Sequence, residues 1–133
     1  MRSISRWITL ALVGIIAGCS VPDVGGKENY LALCADCHGP KGLGDGPTAK
    51  VFKIPAANLT TLSARNGGEF PQVYVLSKIY GFSEEVDHFG AMPEFGPILD
   101  GPTTVIETEK GIFTPTPLPL VELGEYIESL QVK

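Results

Sequence analysis

The stretch Cys34-Ala35-Asp36-Cys37-His38 decides how the rest of the sequence is interpreted, because it places two thiols and an imidazole within five residues. The residues before it predict a helix over 26–38. Apolar positions recur at the spacing of one helical face, namely Tyr30, Leu33, Cys34 and Cys37. Gly39-Pro40 ends the helix. Two thiols three positions apart therefore face the same side, with a histidine directly after them.

The Cys-x-x-Cys-His pattern is the attachment motif of c-type haem. Both thiols can bond to one porphyrin, and His38 can bind its iron. A zinc site needs about four ligands, and beyond the motif the sequence holds only His88 and Cys19. A thioredoxin-like site follows a strand, whereas these residues are helical in pattern. A plain Cys34–Cys37 disulfide leaves the histidine unexplained. We expect one covalently bound haem c.

A haem iron held by one histidine has a sixth coordination position to fill. Once Met1 is lost with the leader, the sequence offers one methionine, Met92, and one further histidine, His88. Met92 precedes Pro93 in a short loop, whereas His88 is surrounded by acidic residues. Met92 is the predicted ligand, with His88 and an open position as alternatives.

Residues 1–18 have the pattern of an export signal. Two arginines precede Trp7 to Ala17, a mainly apolar run of eleven residues, too short to span a membrane, which takes about 20. The sequence Ile16-Ala17-Gly18-Cys19 resembles the bacterial lipobox, in which cleavage leaves the cysteine as the acylated first residue. The alternative is an ordinary signal peptide with Cys19 incidental or disulfide-bonded. We expect residues 1–18 to be removed and residues 19–25 to form a lipid-anchored tether.

Further elements follow along the chain. A helix is predicted between Pro71 and Gly81, and another from Pro119 onward. Between them, Thr103 to Thr108 and Ile112 to Thr114 predict a small hairpin inserted before the last helix. The residues from 48 to 61 are predicted to be irregular, with one helical turn at most.

Charge is distributed unevenly. The formal net charge is −5, and the basic runs typical of nucleic-acid binding are missing from the sequence. Residues 19–82 carry 5 acidic and 6 basic residues, whereas residues 83–133 carry 10 acidic and 2 basic ones. The acidic half is either a solvated surface that aids solubility or a docking face for a basic partner.

These residues resemble the small mono-haem class I cytochromes c. The resemblance covers the chain in order: the motif helix, a glycine-rich loop, a middle helix, a Met-Pro loop and a last helix. It implies an all-α fold over residues 26–133, in which the first and last helices cross at Gly26 and Tyr30, and at Leu123 and Tyr126. It also implies that a proline carbonyl accepts the other ring N–H of the proximal histidine, with Pro55 the first candidate and Pro47 the second.

The function implied by the resemblance is one-electron transfer, with the protein held at the periplasmic side of a bacterial membrane, outer or inner. Thioether ligation raises the reduction potential, and a filled sixth position excludes substrate. The sequence shows no general base or nucleophile beside an open pocket, so we expect an electron carrier rather than an enzyme. The expected partners are redox proteins that dock at the acidic half. The alternative function is a haem-based module that binds or senses a small ligand through a labile sixth position.

Overall fold

A computed structural model describes residues 25–53, 56–82 and 92–132. The described helices are α1 (Gly26–Leu33), α2 (Ala35–His38), α3 (Pro47–Phe52), α4 (Leu62–Arg65), α5 (Gln72–Tyr80) and α6 (Leu118–Ser129), with a 3₁₀ turn at Leu59–Thr61. Two strands, β1 (Thr103–Glu109) and β2 (Ile112–Pro117), form an antiparallel hairpin. None of the helices in these ranges is both long and apolar enough to cross a membrane.

The prediction of an all-α fold is wrong. Helices hold about 47% and strands about 13% of the described residues, so the architecture is mixed α/β. The hairpin itself lies where the sequence indicated, but β2 runs on to Pro117. Prolines are tolerated there because a strand at the edge of a sheet need not donate every backbone N–H. The error was to treat the hairpin as an appendage of a helical fold rather than as one of its elements.

The first and last long helices cross closely. A Cβ atom on Gly26 would collide with the backbone carbonyl of Glu122, so glycine is what allows α1 and α6 to approach at this point. Beside it, the rings of Tyr30 and Tyr126 lie 5.2 Å apart with a tilt of 52°. The predicted crossing of Gly26 and Tyr30 with Leu123 and Tyr126 agrees with this geometry.

One hydrophobic core joins α1, α5 and α6. Tyr30 and Leu123 are fully buried at its centre. On α5, Val75 is buried, whereas Val73 is 38% exposed. The buried core consists of Tyr30, Cys34, Val75, Leu76, Ile79, Leu99, Leu120, Leu123 and Ile127.

Replacing Gly26 with alanine is expected to destabilise the fold by about 1–3 kcal/mol, because the new methyl group forces α1 away from the backbone of α6. Lys27→Ala is the control: it truncates an exposed side chain to a methyl group one residue further along α1, where that group meets nothing on α6, and should change stability by less than about 0.5 kcal/mol. Urea unfolding followed by circular dichroism measures both. Equal midpoints for the two variants would contradict the close crossing.

Candidate functional site

The Cys-x-x-Cys-His motif lies at the junction of α1 and α2. The helix is interrupted at Cys34, whose φ is −114°, and resumes at Ala35. The N–H of His38 still donates to the carbonyl oxygen of Cys34 at 2.9 Å, so the helical hydrogen bonding continues through the break. The sequence predicted one helix over 26–38, and the structure gives two short ones in nearly continuous succession.

Both cysteines of the motif are free thiols. Cys34 is 6% exposed and belongs to the core, whereas Cys37 is half-buried. Burial, with a smaller contribution from neighbouring Cys37, raises the pKa of the Cys34 thiol to about 11. At neutral pH that group is therefore a protonated thiol inside the core.

His38 is oriented by a backbone carbonyl. Its Nδ1 lies 2.9 Å from the carbonyl oxygen of Ala57. Because a carbonyl only accepts, Nδ1 carries the proton and donates it. In the neutral imidazole this leaves the lone pair on Nε2, which is the atom available to a metal.

The acceptor predicted by the resemblance was Pro55, which lies outside the described residues, and the second candidate was Pro47. Pro47 instead begins α3. The described acceptor is Ala57, two residues beyond the first candidate. Its role depends on a main-chain oxygen, so its residue type carries no signal in the sequence.

The glycine-rich loop fixes both the motif and its acceptor. The N–H of Gly44 donates to the carbonyl of His38 at 2.8 Å, and the N–H of Gly46 donates to that of Cys37 at 3.1 Å. Gly44 has a φ of +78°, and a Cβ atom there would lie 2.5 Å from the carbonyl oxygen of Ala56. Glycine thus lets the loop contact the backbone segment that includes Ala57, and the loop links histidine and acceptor.

The end of α1 is joined to the loop by a buried tyrosine. The hydroxyl of Tyr30 donates to the carbonyl oxygen of Gly39 at 2.6 Å. Burial, followed by smaller contributions from Cys34, Tyr126 and Asp45, raises the pKa of this phenol to about 12. The phenol therefore stays protonated and keeps the residue after the motif attached to the helix crossing.

Met92 packs, partly buried, against the same core cluster that contains Cys34. The segment after it is held at the end of α5: Phe95 N–H donates to the carbonyl of Ile79 at 2.9 Å, and Gly96 N–H to that of Tyr80 at 3.2 Å. The structure thus brings a thioether and the motif helix to one core. His88 and Cys19 lie outside the described residues.

The described residues at and near the motif offer two thiols, one imidazole nitrogen and one thioether as possible donors. Within 25–53, 56–82 and 92–132, no cluster of three or more His, Cys, Asp or Glu side chains could enclose a metal ion. A haem iron needs only axial ligands from the protein, since the porphyrin supplies the other four. Two free thiols, an imidazole with its Nε2 lone pair and a core methionine are the groups such a cofactor uses.

No protein-family model matches the sequence, and neither the curated proteins nor the solved structures searched contain a match to it.

Proposed function

We propose that this protein is an electron carrier that holds one haem c in the manner of the class I cytochromes c. The observation that carries the proposal is the motif geometry: two free thiols on a helix end, followed by a histidine whose Nδ1 donates to Ala57. The close crossing of α1 and α6 supports it, because the motif extends directly from that crossing.

Each residue has a distinct task in this proposal. Cys34 and Cys37 would hold the group through thioether bonds, and the Nε2 of His38 would bind its iron. The Ala57 carbonyl keeps the imidazole in one tautomer and increases its basicity as a ligand. The sulfur of Met92 would also bind the iron and would favour its reduced state. When bound, haem supplies a one-electron iron couple, so the chain itself needs neither a base nor a nucleophile.

Redox titration of the haem-loaded protein tests the function. We expect one reversible one-electron transition, and a reduced spectrum that does not change when CO is added, because Met92 fills the sixth position. Immediate binding of CO to the reduced protein would instead support the alternative of a small-ligand sensor with a labile sixth ligand.

We propose further that the protein is a periplasmic lipoprotein anchored through Cys19. Lipidation contributes about 0.8 kcal/mol for each buried CH₂, and more than one chain gives stable anchoring. Residues 19–25 reach at most about 25 Å at about 3.6 Å per residue, so the electron carrier works close to the membrane.

Cys19→Ala is expected to abolish membrane association of the mature protein, because it removes the acylated side chain. Mass spectrometry of the N-terminal peptide and fractionation of the cell envelope measure the effect. Haem content is the internal control and should not change in protein that is exported. A wild-type N-terminal peptide without acyl mass, from freely soluble protein, would refute the anchor.

A further inference from the structure

The β1–β2 hairpin has two chemically different faces. Its side chains alternate, so that Thr104, Ile106 and Thr108 are partly buried while their neighbours on β1 are exposed. Ile106 packs against the core cluster and lines a groove of about 330 Å³ together with Leu76 and Leu120. The inner face therefore fixes the hairpin to α5 and α6.

The outer face is unusually apolar for a surface. Val105 is 60% exposed and Phe113 is 65% exposed, and the register pairs them with Pro115 and Glu107 respectively. We define the outer face as Val105, Glu107, Glu109, Phe113 and Pro115, which alternate with the inner-facing residues along each strand and are all exposed. A group of apolar side chains held on a short sheet and bordered by charge is typical of a protein interaction site.

The charges on this face are acidic and one of them is fixed in place. The carboxylate of Glu107 accepts the N–H of Gly111 at 2.7 Å, which holds it at the turn. Glu107 also lines a cavity of about 450 Å³ together with Glu69, which precedes α5, and Tyr74 in the first turn of that helix. Across residues 92–132 there are seven acidic residues and one basic residue. The potential around the outer face is therefore negative.

The negative charge of the outer face restricts which partners can bind to it. A second copy would bring two sets of carboxylates together, and an anionic lipid surface would repel them. A protein with lysine or arginine side chains around an apolar centre complements both features.

We propose that the outer face of the hairpin is the docking surface for such a basic protein partner. This inference rests on the proposed function only because it takes the partner to be a protein that exchanges electrons with this chain. The apolar side chains supply the contact area, and the carboxylates attract and orient the partner.

The test uses the haem-loaded mature protein and a defined probe, a synthetic helical peptide with a leucine stripe bordered by lysines. Isotope-labelled protein is titrated with it, and amide shifts are followed by NMR. We expect the shifts to concentrate in residues 103–117. Phe113→Ser or Val105→Ser should weaken binding about tenfold or more. Val132→Ser, which alters a valine that is 55% exposed after α6, is the matched control and should leave binding unchanged.

The carboxylates are tested separately. Glu107→Gln with Glu109→Gln should weaken binding severalfold at about 0.01 M salt, where the Debye length is about 30 Å, and should have little effect at about 1 M, where it is about 3 Å. Glu28→Gln on α1 is the control. Three outcomes would each overturn the inference. The amide shifts could fall outside the hairpin, or a peptide with glutamates in place of lysines could bind equally well. The protein could also form dimers that Phe113→Ser abolishes. The absorbance of the same samples reports whether haem is attached, so failure of the proposed function is distinguished from failure of docking.

Discussion

Replacing Cys34 and Cys37 together with serine is expected to abolish covalent haem completely, since the oxygen analogue of each thiol does not form the thioether bond. The protein is expressed with a cytochrome c maturation system and exported. The measurement is the amount of haem that stays with the polypeptide on a denaturing gel or through acid–acetone extraction. The wild type should retain all of its haem and the double variant none.

Asp36→Asn is the matched control for that experiment. It changes a residue between the two cysteines, on the exposed side of α2, and leaves both thiols and His38 in place. We expect it to retain haem as the wild type does. Pigment that can be extracted from the wild type would refute the central proposal.

Met92→Ala is expected to lower the reduction potential and to open the iron to added ligands. The methionine sulfur stabilises the reduced state, and its removal leaves a cavity in the core against which Met92 packs. We expect a decrease of at least about 59 mV, which is a tenfold change in the ratio of oxidised to reduced protein for one electron. Potentiometry with visible spectra measures it.

His88→Ala is the companion variant, because it removes the other candidate ligand that the sequence offers. Neither its potential nor its reactivity towards CO should change. If Met92→Ala keeps the sulfur-to-iron charge-transfer band of the oxidised protein, or if His88→Ala is the variant that becomes reactive, the assignment of the sixth ligand is wrong.

The elements with strong side-chain periodicity could be predicted from the sequence. Apolar positions at helical spacing predicted the helix between Pro71 and Gly81 and the last helix within a residue or two of their ends. They also predicted a single helix over 26–38, which the structure divides at Cys34. The hairpin from Thr103 to Thr114 followed from its β-branched residues and its turn, and the structure extends its second strand to Pro117. What failed was the fold class, because counting helices gave no weight to a two-stranded element.

Features that depend on the backbone could not be predicted in this way. Helix α3 was missed because its short segment has no repeating apolar face, and four of its six residues are exposed. Ala57 was missed because any residue can offer a carbonyl. The break between α1 and α2 at Cys34 was missed because it depends on the backbone dihedral angles of that residue, which the side-chain pattern does not show. For the site, the haem-binding roles of the motif and of Met92 stay predictions from the sequence, while the tautomer of His38 required the structure.

The crossing of α1 with α6 has a consequence for the order of events in biogenesis. The two helices come from distant parts of the sequence, so the contact between Gly26 and Glu122 requires closure of a long loop and forms slowly. Until α6 has been synthesised, the helix before the motif lacks its packing partner. Cys34 is therefore accessible during a kinetic window that closes when the core assembles around it. Variants that weaken the crossing should lengthen that window and leave the thiols reactive for longer.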